Sequence, residues 1–194
     1  PWSLVGSEMC IRDSYNTWLL MRIVAFILLL TSSTLISQEI KRVDSEKSFI
    51  NYTGKHFLHK WSAENKNISG IIQIDDETIS NIGIVAKVSD FKSGNSNLDS
   101  NSFRVLDALQ FPNVIFKSTS VSKEKEQILI EGVMNFHGIE KDFKILAEVI
   151  KLDGVIKLFG KFSVSLTEFL VKRPSLLARK IDDKINLEFD LYFN

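Results

Sequence analysis

The sequence predicts an all-β fold, an antiparallel meander of about eight or nine strands with one short inserted helix. Three observations indicate this. Apolar and polar residues alternate along most of the chain after residue 38, short polar turns separate the alternating segments, and no strand–helix–strand rhythm is present. The last observation excludes a parallel sheet, whose strands need long crossover connections. An antiparallel meander of this size either closes into a barrel or divides into a sandwich.

The strands follow one another in chain order, and each is identified by the side chains that share its inward face. The register of the segment 49–61 is ambiguous, and we favour Tyr52 and His56 inward. The inward residues predicted for the later strands are, in order, Ile68, Ile72 and Ile74; Ile82, Ile84, Ala86 and Val88; Val114 and Phe116; Ile128, Ile130, Met134 and Phe136; Phe143, Ile145, Ala147 and Val149; Ile156, Leu158, Phe162 and Val164; and Ile185, Leu187, Phe189, Leu191 and Phe193.

Two segments break the alternation. Between residues 95 and 110, apolar residues recur near helical spacing, so a short helix is predicted there. We expect Ser96 or Asn97 to cap its start, and Pro112 forbids its continuation. Residues 167–182 are rich in apolar side chains but have no regular period, and we expect them to fold over one end of a barrel.

The composition is that of a globular domain. The chain has 194 residues, of which 44% are hydrophobic, and 24 Lys and Arg balance 24 Asp and Glu. This length fits a single domain of roughly 100–200 residues. The zero net charge argues against nucleic acid as a partner, because phosphate binding needs a clustered excess of basic side chains. The 14 phenylalanines indicate either an aromatic core or an aromatic ligand site.

The first 37 residues are predicted to lie outside the fold. Met21 and Arg22 precede the apolar run 23–30 and a series of small polar residues, which is the pattern of a secretory signal peptide over residues 21–37. The apolar run is shorter than the ~20 residues that a membrane-spanning helix needs. Residues 1–20 are then a non-native or disordered extension, residues 38–194 form the domain, and the mature protein is periplasmic or secreted.

Catalytic and metal chemistry finds little support in the predicted domain. The one cysteine of the chain, Cys10, lies in the N-terminal extension, so disulfides and thiolate chemistry are excluded from the domain. His56 and His59 are three residues apart, which on one strand places them on opposite faces and disfavours a shared metal ion. We expect His137 to be a turn residue whose ring bonds nearby backbone. No catalytic set, metal site or cofactor is predicted.

Several motifs together resemble the YceI-like family of secreted bacterial proteins. The central block runs over residues 90–95 (DFKSGN), continues at Leu98-Asp99 and ends with residues 111–119 (FPNVIFKST). Residues 52–56 (YTGKH), 132–138 (GVMNFHG) and 166–177 resemble further family motifs in the same order. The resemblance covers residues 40–194. It departs from the family after His56, where FLHKW replaces a Val-x-Gly stretch.

The resemblance implies a lipocalin-like antiparallel β-barrel of about eight strands around an apolar tunnel. It also implies a non-enzymatic carrier that holds an isoprenoid lipid, such as a polyprenol or a quinone tail. The residues alone leave open whether the inward side chains line a cavity or fill the barrel, since small barrels do either. A filled barrel that serves as an interaction or stress-response module without lipid is therefore the alternative.

The residues predicted to line the tunnel face inward, and most are aromatic. They are Tyr52, Ile84, Val88, Phe116, Met134, Phe136, Phe143, Phe162 and Phe189. Outside the tunnel, the pairs Lys172-Arg173 and Arg179-Lys180 are expected to be solvated surface or, alternatively, a transient contact with phosphate head groups at a membrane surface. The oligomeric state is left open, and a homodimer is one of the alternatives.

We expect a chain that begins at Gln38 to unfold at the same temperature as the whole chain. The reason is that residues 1–37 carry no pattern of a core element. Thermal unfolding followed by circular dichroism measures both chains. A melting temperature lower by more than a few degrees in the shorter chain would show that the N-terminal segment packs on the barrel.

Overall fold

Alternating side chains in residues 39–193 build one antiparallel sheet of ten strands that curls on itself. The computed structural model describes residues 18, 21, 22 and 38–194. The predicted extension 1–20 and signal peptide 21–37 lie outside the described residues, apart from positions 18, 21 and 22, and stay predictions. Among the described residues, no helix is both long enough and apolar enough to cross a membrane.

The elements are numbered here in chain order. The strands are β1 (Glu39–Arg42), β2 (Phe49–His56), β3 (His59–Asn65), β4 (Ile68–Asp75), β5 (Thr78–Lys87), β6 (Asn113–Glu124), β7 (Gln127–Phe136), β8 (Ile139–Leu152), β9 (Val155–Ser165), β10 (Ser175–Leu176), β11 (Arg179–Lys180) and β12 (Lys184–Phe193). Helix α1 covers Ser96–Val105, and short 3-10 turns cover Val88–Asp90 and Thr167–Phe169. Neighbours in the sheet follow the order β1-β4-β5-β6-β7-β8-β9-β12-β2-β3, and β10 and β11 form a separate hairpin.

Backbone hydrogen bonds at two places join each edge of this sheet to a segment on its opposite side. Val43, just after β1, forms an antiparallel bridge with Phe193 of β12. Glu64 of β3 and Lys92, which follows β5, exchange two backbone hydrogen bonds of 3.0 and 2.9 Å. The predicted antiparallel barrel with one inserted helix is confirmed. It has ten sheet strands and a separate two-stranded hairpin, rather than about eight strands.

The predicted inward faces agree with the burial of the side chains. Ile82, Ile84 and Ala86 in β5 are at most 9% exposed, whereas the residues between them in sequence are more exposed. Phe189 and Leu191 in β12 show the same alternation. The period-two interpretation of these strands is confirmed.

The barrel is filled at one end and hollow toward the other. The filled end lies near the hairpin turns 76–77, 125–126 and 153–154. Inward side chains are buried there, and Ile72 and Phe193 are both 0% exposed. The hollow half lies between this end and helix α1. Each of the two alternatives that the sequence left open therefore describes one half of the barrel.

Helix α1 begins where the sequence predicts, but its cap differs. Asn95 is the N-cap, and its side-chain oxygen accepts hydrogen bonds from the backbone N–H groups of Asn97 and Leu98 at 3.0 and 3.2 Å. The prediction of Ser96 or Asn97 as the cap is wrong, because the oxygen of a capping side chain must reach N–H groups two and three residues further on. The helix ends at Val105.

The connection between β9 and β12, which we call the closing segment (residues 166–183), folds onto the barrel as predicted. Its Phe169 is 0% exposed and its Val171 is 3% exposed, and both belong to the core. His137, in the turn between β7 and β8, holds this segment, since its Nδ1 lies 3.0 Å from the carbonyl oxygen of Phe169. The predicted role of His137 is confirmed. The β10–β11 hairpin within the segment was not predicted.

Phe193→Ala should lower the free energy of unfolding by about 3–5 kcal/mol, because it opens a void in the filled end. Phe162→Ala should cost less, because Phe162 faces the hollow half and its loss enlarges space that is already present. Lys161→Ala is the control, since this side chain is 74% exposed and should be near neutral. Urea unfolding measures all three, and equal losses for Phe162→Ala and Lys161→Ala would contradict the register.

Candidate functional site

The hollow half of the barrel contains a cavity of about 820 Å³. This volume lies in the upper part of the range of roughly 300–1,000 Å³ that is typical of small-molecule sites. Its wall comes from inward side chains of β2, β3, β5–β9 and β12, together with helix α1 and the closing segment. Strand periodicity explains the barrel part of this wall, because every second residue of each strand faces the interior.

Eight of the nine predicted tunnel residues line the cavity. They are Tyr52, Ile84, Val88, Phe116, Met134, Phe136, Phe162 and Phe189. The ninth, Phe143, faces the interior but is not part of the cavity wall. It packs in an aromatic cluster, with ring centroids 6.0 Å from Phe169 and 6.1 Å from Phe162. Phe169 belongs to the aperiodic closing segment, so its position against Phe143 could not be derived from the sequence pattern.

Other parts of the cavity wall were not predicted as lining. Leu98 and Phe103 of helix α1 contribute to it, and their helical spacing was a signal that could have placed them there. Trp61 of β3 also contributes, in the segment of ambiguous register. The indole of Trp61 lies over Gly54, its cross-strand neighbour, where any Cβ would collide with the ring. Glycine at position 54 therefore allows Trp61 to lie flat against β2.

The prediction that His56 and His59 lie on opposite faces of one strand is wrong. Phe57 and Leu58 form a turn, so His56 ends β2 and His59 begins β3. The two histidines face each other across the hairpin, with ring centroids 5.9 Å apart, and both line the cavity. Even so, the part of the chain that the structure describes brings together no group of three or more side chains suited to bind a metal ion.

A few polar atoms interrupt the apolar wall. His56 is 2% exposed, and its Nε2 lies 3.3 Å from the carbonyl oxygen of Arg179. This contact assigns the proton of a neutral ring to Nε2, which leaves Nδ1 as an acceptor. Nδ1 is buried and has no hydrogen-bond partner among the described residues.

Tyr52 contributes a second polar group to the cavity wall. Its hydroxyl lies 3.4 Å from Oγ of Ser102 in helix α1. Burial raises the pKa of Tyr52 above its ordinary value, although hydrogen bonds with Ser102 and Trp61 oppose the shift. The phenol is therefore protonated at neutral pH. An apolar cavity with a few such polar groups can bind an apolar molecule and orient a polar end of it.

The closed antiparallel barrel, the inserted helix and the interior cavity agree with one known family. Residues 42–193 match the family model described as the YceI-like domain. The chain belongs to the YceI-like family. It is 26% identical over 130 residues to Protein YceI of Salmonella newport (strain SL254), which covers 63% of this chain and 68% of that relative.

Solved structures show the same fold as this YceI-like domain. Burkholderia cenocepacia BcnA aligns with a TM-score of 0.71 at 16% identity, over 77% of this chain and 98% of that one. A polyisoprenoid binding domain from Saccharophagus degradans, described as implicated in plant cell wall breakdown, aligns with a TM-score of 0.66 at 10% identity, over 81% of this chain and 99% of that one. The Campylobacter jejuni YCEI protein has a TM-score of 0.56 at 19% identity, over 66% and 81% of the two chains.

One carboxylate holds both ends of the closing segment of this YceI-like domain. Asp183 accepts hydrogen bonds from the hydroxyls of Ser165 and Thr167 at 2.5 and 2.9 Å, and from the backbone N–H of Thr167 at 3.0 Å. Its second oxygen also lies 3.5 Å from Nε of Arg173. These contacts join the start, the middle and the end of a segment that forms part of the cavity wall.

The pKa of Asp183 lies below its ordinary value. Burial is the largest single influence and acts to raise this pKa, but the hydrogen bonds from Ser165 and Thr167 and the charge of Arg173 together outweigh burial. A carboxyl whose pKa is lower in the folded state contributes stability above its unfolded pKa of about 3.9, and loses that contribution as the pH falls through the folded value.

Asp183→Asn should lower the free energy of unfolding by about 1.5–3 kcal/mol at neutral pH, because it weakens hydrogen bonds made to a charged group. The difference from the unchanged protein should shrink below about pH 4, as the carboxylate is protonated in both states. Urea unfolding at several pH values measures this. The matched control is Asp182→Asn, an exposed neighbour whose loss removes the same charge. A pH-independent difference, or an equal loss in the control, would contradict the role of Asp183.

Proposed function

We propose that this YceI-like domain is a non-enzymatic carrier that holds an isoprenoid lipid, such as a polyprenol or a quinone tail, in the cavity of its barrel. The observation that carries the proposal is the cavity of about 820 Å³, whose wall is predominantly apolar. Burying apolar lipid surface there contributes about 25 cal/mol per Å². This driving force needs no directed contacts, which suits a long chain without polar groups.

The cavity favours an apolar occupant over water. Water fills such spaces only where several polar partners hold it. The wall offers few, among them Tyr52 and His56. An apolar ligand therefore fits the cavity better than water does.

The relatives support the same class of ligand. The Saccharophagus degradans structure, which shares this fold, is described as a polyisoprenoid binding domain. The rival function, a filled barrel that acts as an interaction or stress-response module without lipid, needs side chains throughout the interior. Side chains fill only the end near Ile72 and Phe193. We propose the periplasm or the extracellular space as the location, on the basis of the signal-peptide pattern in residues 21–37.

The carrier function predicts that the protein made in a bacterial host already contains lipid. Organic extraction and mass spectrometry should find an isoprenoid at close to one molecule per chain, because bacterial membranes supply such lipids and an apolar cavity should not stay empty. A well-folded protein that yields no lipid, and takes up none when offered polyprenol or a quinone, would refute the proposal.

Two matched replacements of alanine by phenylalanine test whether the cavity is the binding site. Ala86 lines the cavity, so Ala86→Phe should place a ring in existing space, displace the lipid and leave the fold intact. Ala147 is 0% exposed and lies outside the cavity wall, so Ala147→Phe should overpack the core at about 1–3 kcal/mol and leave the lipid content of the folded fraction unchanged. Measured on both variants, lipid content should fall only in Ala86→Phe and thermal stability only in Ala147→Phe. Loss of lipid from both variants alike would contradict the assignment.

A further inference from the structure

The β2–β3 and β10–β11 hairpins meet next to the cavity. The backbone N–H of Asp182, which follows β11, donates to the carbonyl of Lys55 in β2 at 2.9 Å. The guanidinium of Arg179 lies 4.7 Å from the ring centroid of Phe57. His56 and Pro174, from the same two parts of the chain, both line the cavity. The two tips, residues 55–60 and 177–180, therefore form one continuous surface, which we call the hairpin-tip surface.

Large apolar side chains are exposed on the hairpin-tip surface. Phe57 is 48% exposed, Leu58 is 55% exposed and Leu177 is 72% exposed. Single exposed apolar residues are ordinary, but three at adjoining loop tips need an explanation.

The backbone of the β10–β11 turn makes Leu177 harder to explain by folding alone. Leu177 and Ala178 are the two residues between paired β10 and β11, and both have positive φ values, +52° and +63°. Two-residue hairpin turns of this kind favour Asn-Gly, because residues with a Cβ are strained there. Leucine is therefore disfavoured by the backbone of this turn, and the Leu177 side chain is not buried in the core.

Positive charge surrounds these apolar side chains. Lys55, Lys60, Arg179 and Lys180 are all exposed, and the one exposed acidic residue beside them is Asp182, so cations outnumber carboxylates four to one over residues 54–61 and 175–182. None of the four forms a salt bridge within the part of the chain that the structure describes. The chain as a whole has zero net charge. The concentration of four cations on one apolar surface is therefore a local feature.

We infer that the hairpin-tip surface docks the protein onto an anionic lipid bilayer. Phe57, Leu58 and Leu177 enter the boundary between head groups and acyl chains, and the four cations contact the anionic head groups. Docking of this kind brings the His56 and Pro174 side of the cavity against the membrane, where an apolar ligand would be exchanged. This inference rests on the proposed carrier function, but membrane binding is measured independently of the lipid content of the cavity.

Vesicle flotation tests the inference on the whole protein. The probes are vesicles of equal parts phosphatidylglycerol and phosphatidylcholine, and vesicles of phosphatidylcholine alone. We expect binding to the anionic vesicles that weakens with added salt, and little binding to the neutral ones. Every variant carries residues 1–37, so any contribution of the apolar run 23–30 is common to all comparisons. Equal binding to both kinds of vesicle would overturn the inference.

Two lysine pairs give a matched test of charge. Lys60→Gln with Lys180→Gln should weaken binding to anionic vesicles about 25-fold, at about fivefold for each cation near the surface. The control is Lys123→Gln with Lys125→Gln, which removes the same charge at the β6–β7 turn in the filled end. If both pairs weaken binding equally, net charge rather than this surface is responsible. If neither does, the surface is not a membrane contact and the inference is overturned.

A double substitution in the β10–β11 turn distinguishes an effect on membrane binding from an effect on folding. Leu177→Asn with Ala178→Gly installs the favoured turn residues, so it should raise the melting temperature by a few degrees and weaken binding to anionic vesicles severalfold. The control is Leu152→Asn, which removes a 67% exposed leucine next to the turn 153–154 in the filled end and should leave binding unchanged. Unchanged vesicle binding after the double substitution would refute a role for Leu177.

Lipid content measured on the same preparations separates this inference from the carrier function. A protein that contains lipid but ignores anionic vesicles refutes docking alone. A protein that binds anionic vesicles through Lys60 and Lys180 but never contains lipid refutes the carrier function alone.

Discussion

Everything in this protein depends on the closure of a single curled sheet. An open sheet of ten strands leaves two edges of unpaired backbone groups, which invite pairing with other chains. Here Val43, after the edge strand β1, forms a bridge with Phe193 of β12, and Glu64 of the other edge strand, β3, exchanges hydrogen bonds with Lys92, which follows β5. Closure forces the inward side chains of opposite strands to face one another across the barrel. Only then do the residues of that inner face enclose a space, and only a closed sheet gives this space a continuous wall.

The filled end of the barrel contributes stability, and the hollow half provides the cavity. In the filled end, residues such as Ile72 and Phe193 lose all contact with solvent and supply packing like that of an ordinary core. In the hollow half, equally apolar residues have no opposite partner and are available to a ligand. Helix α1 contributes to the wall of the hollow half although none of its own residues is buried. It is held by Val105 and the adjoining Leu106, which are partly buried against the core, and by contacts such as that between Ser102 and Tyr52.

Strand periodicity in the sequence predicted the antiparallel strands and most of the strand residues that line the cavity, and the family resemblance indicated a barrel. Long strands such as β5 and β12 carry enough alternating residues to fix which side faces inward. The β10–β11 hairpin was not predicted, because strands of two residues carry no period. The relation of His56 to His59 was wrong because FLHKW contains no glycine, proline or asparagine to indicate a turn. Phe143 shows the remaining difficulty. Its inward face was predictable, whereas its neighbour Phe169 belongs to a segment whose course is set by tertiary contacts such as that with His137.

The filled end also makes the interior a blind pocket rather than a passage through the barrel. Ile130, Leu158 and Leu191 line the end of the cavity nearest the filled half, and the opposite end is bounded by helix α1 and the closing segment. The proposed lipid would then enter with its apolar end first and stop where the side chains meet. The number of side-chain layers that fill the barrel sets the depth of the pocket. This depth limits the length of lipid chain that the pocket can hold. A chain longer than this depth leaves its remainder, and any polar end, on the side of His56 and Tyr52.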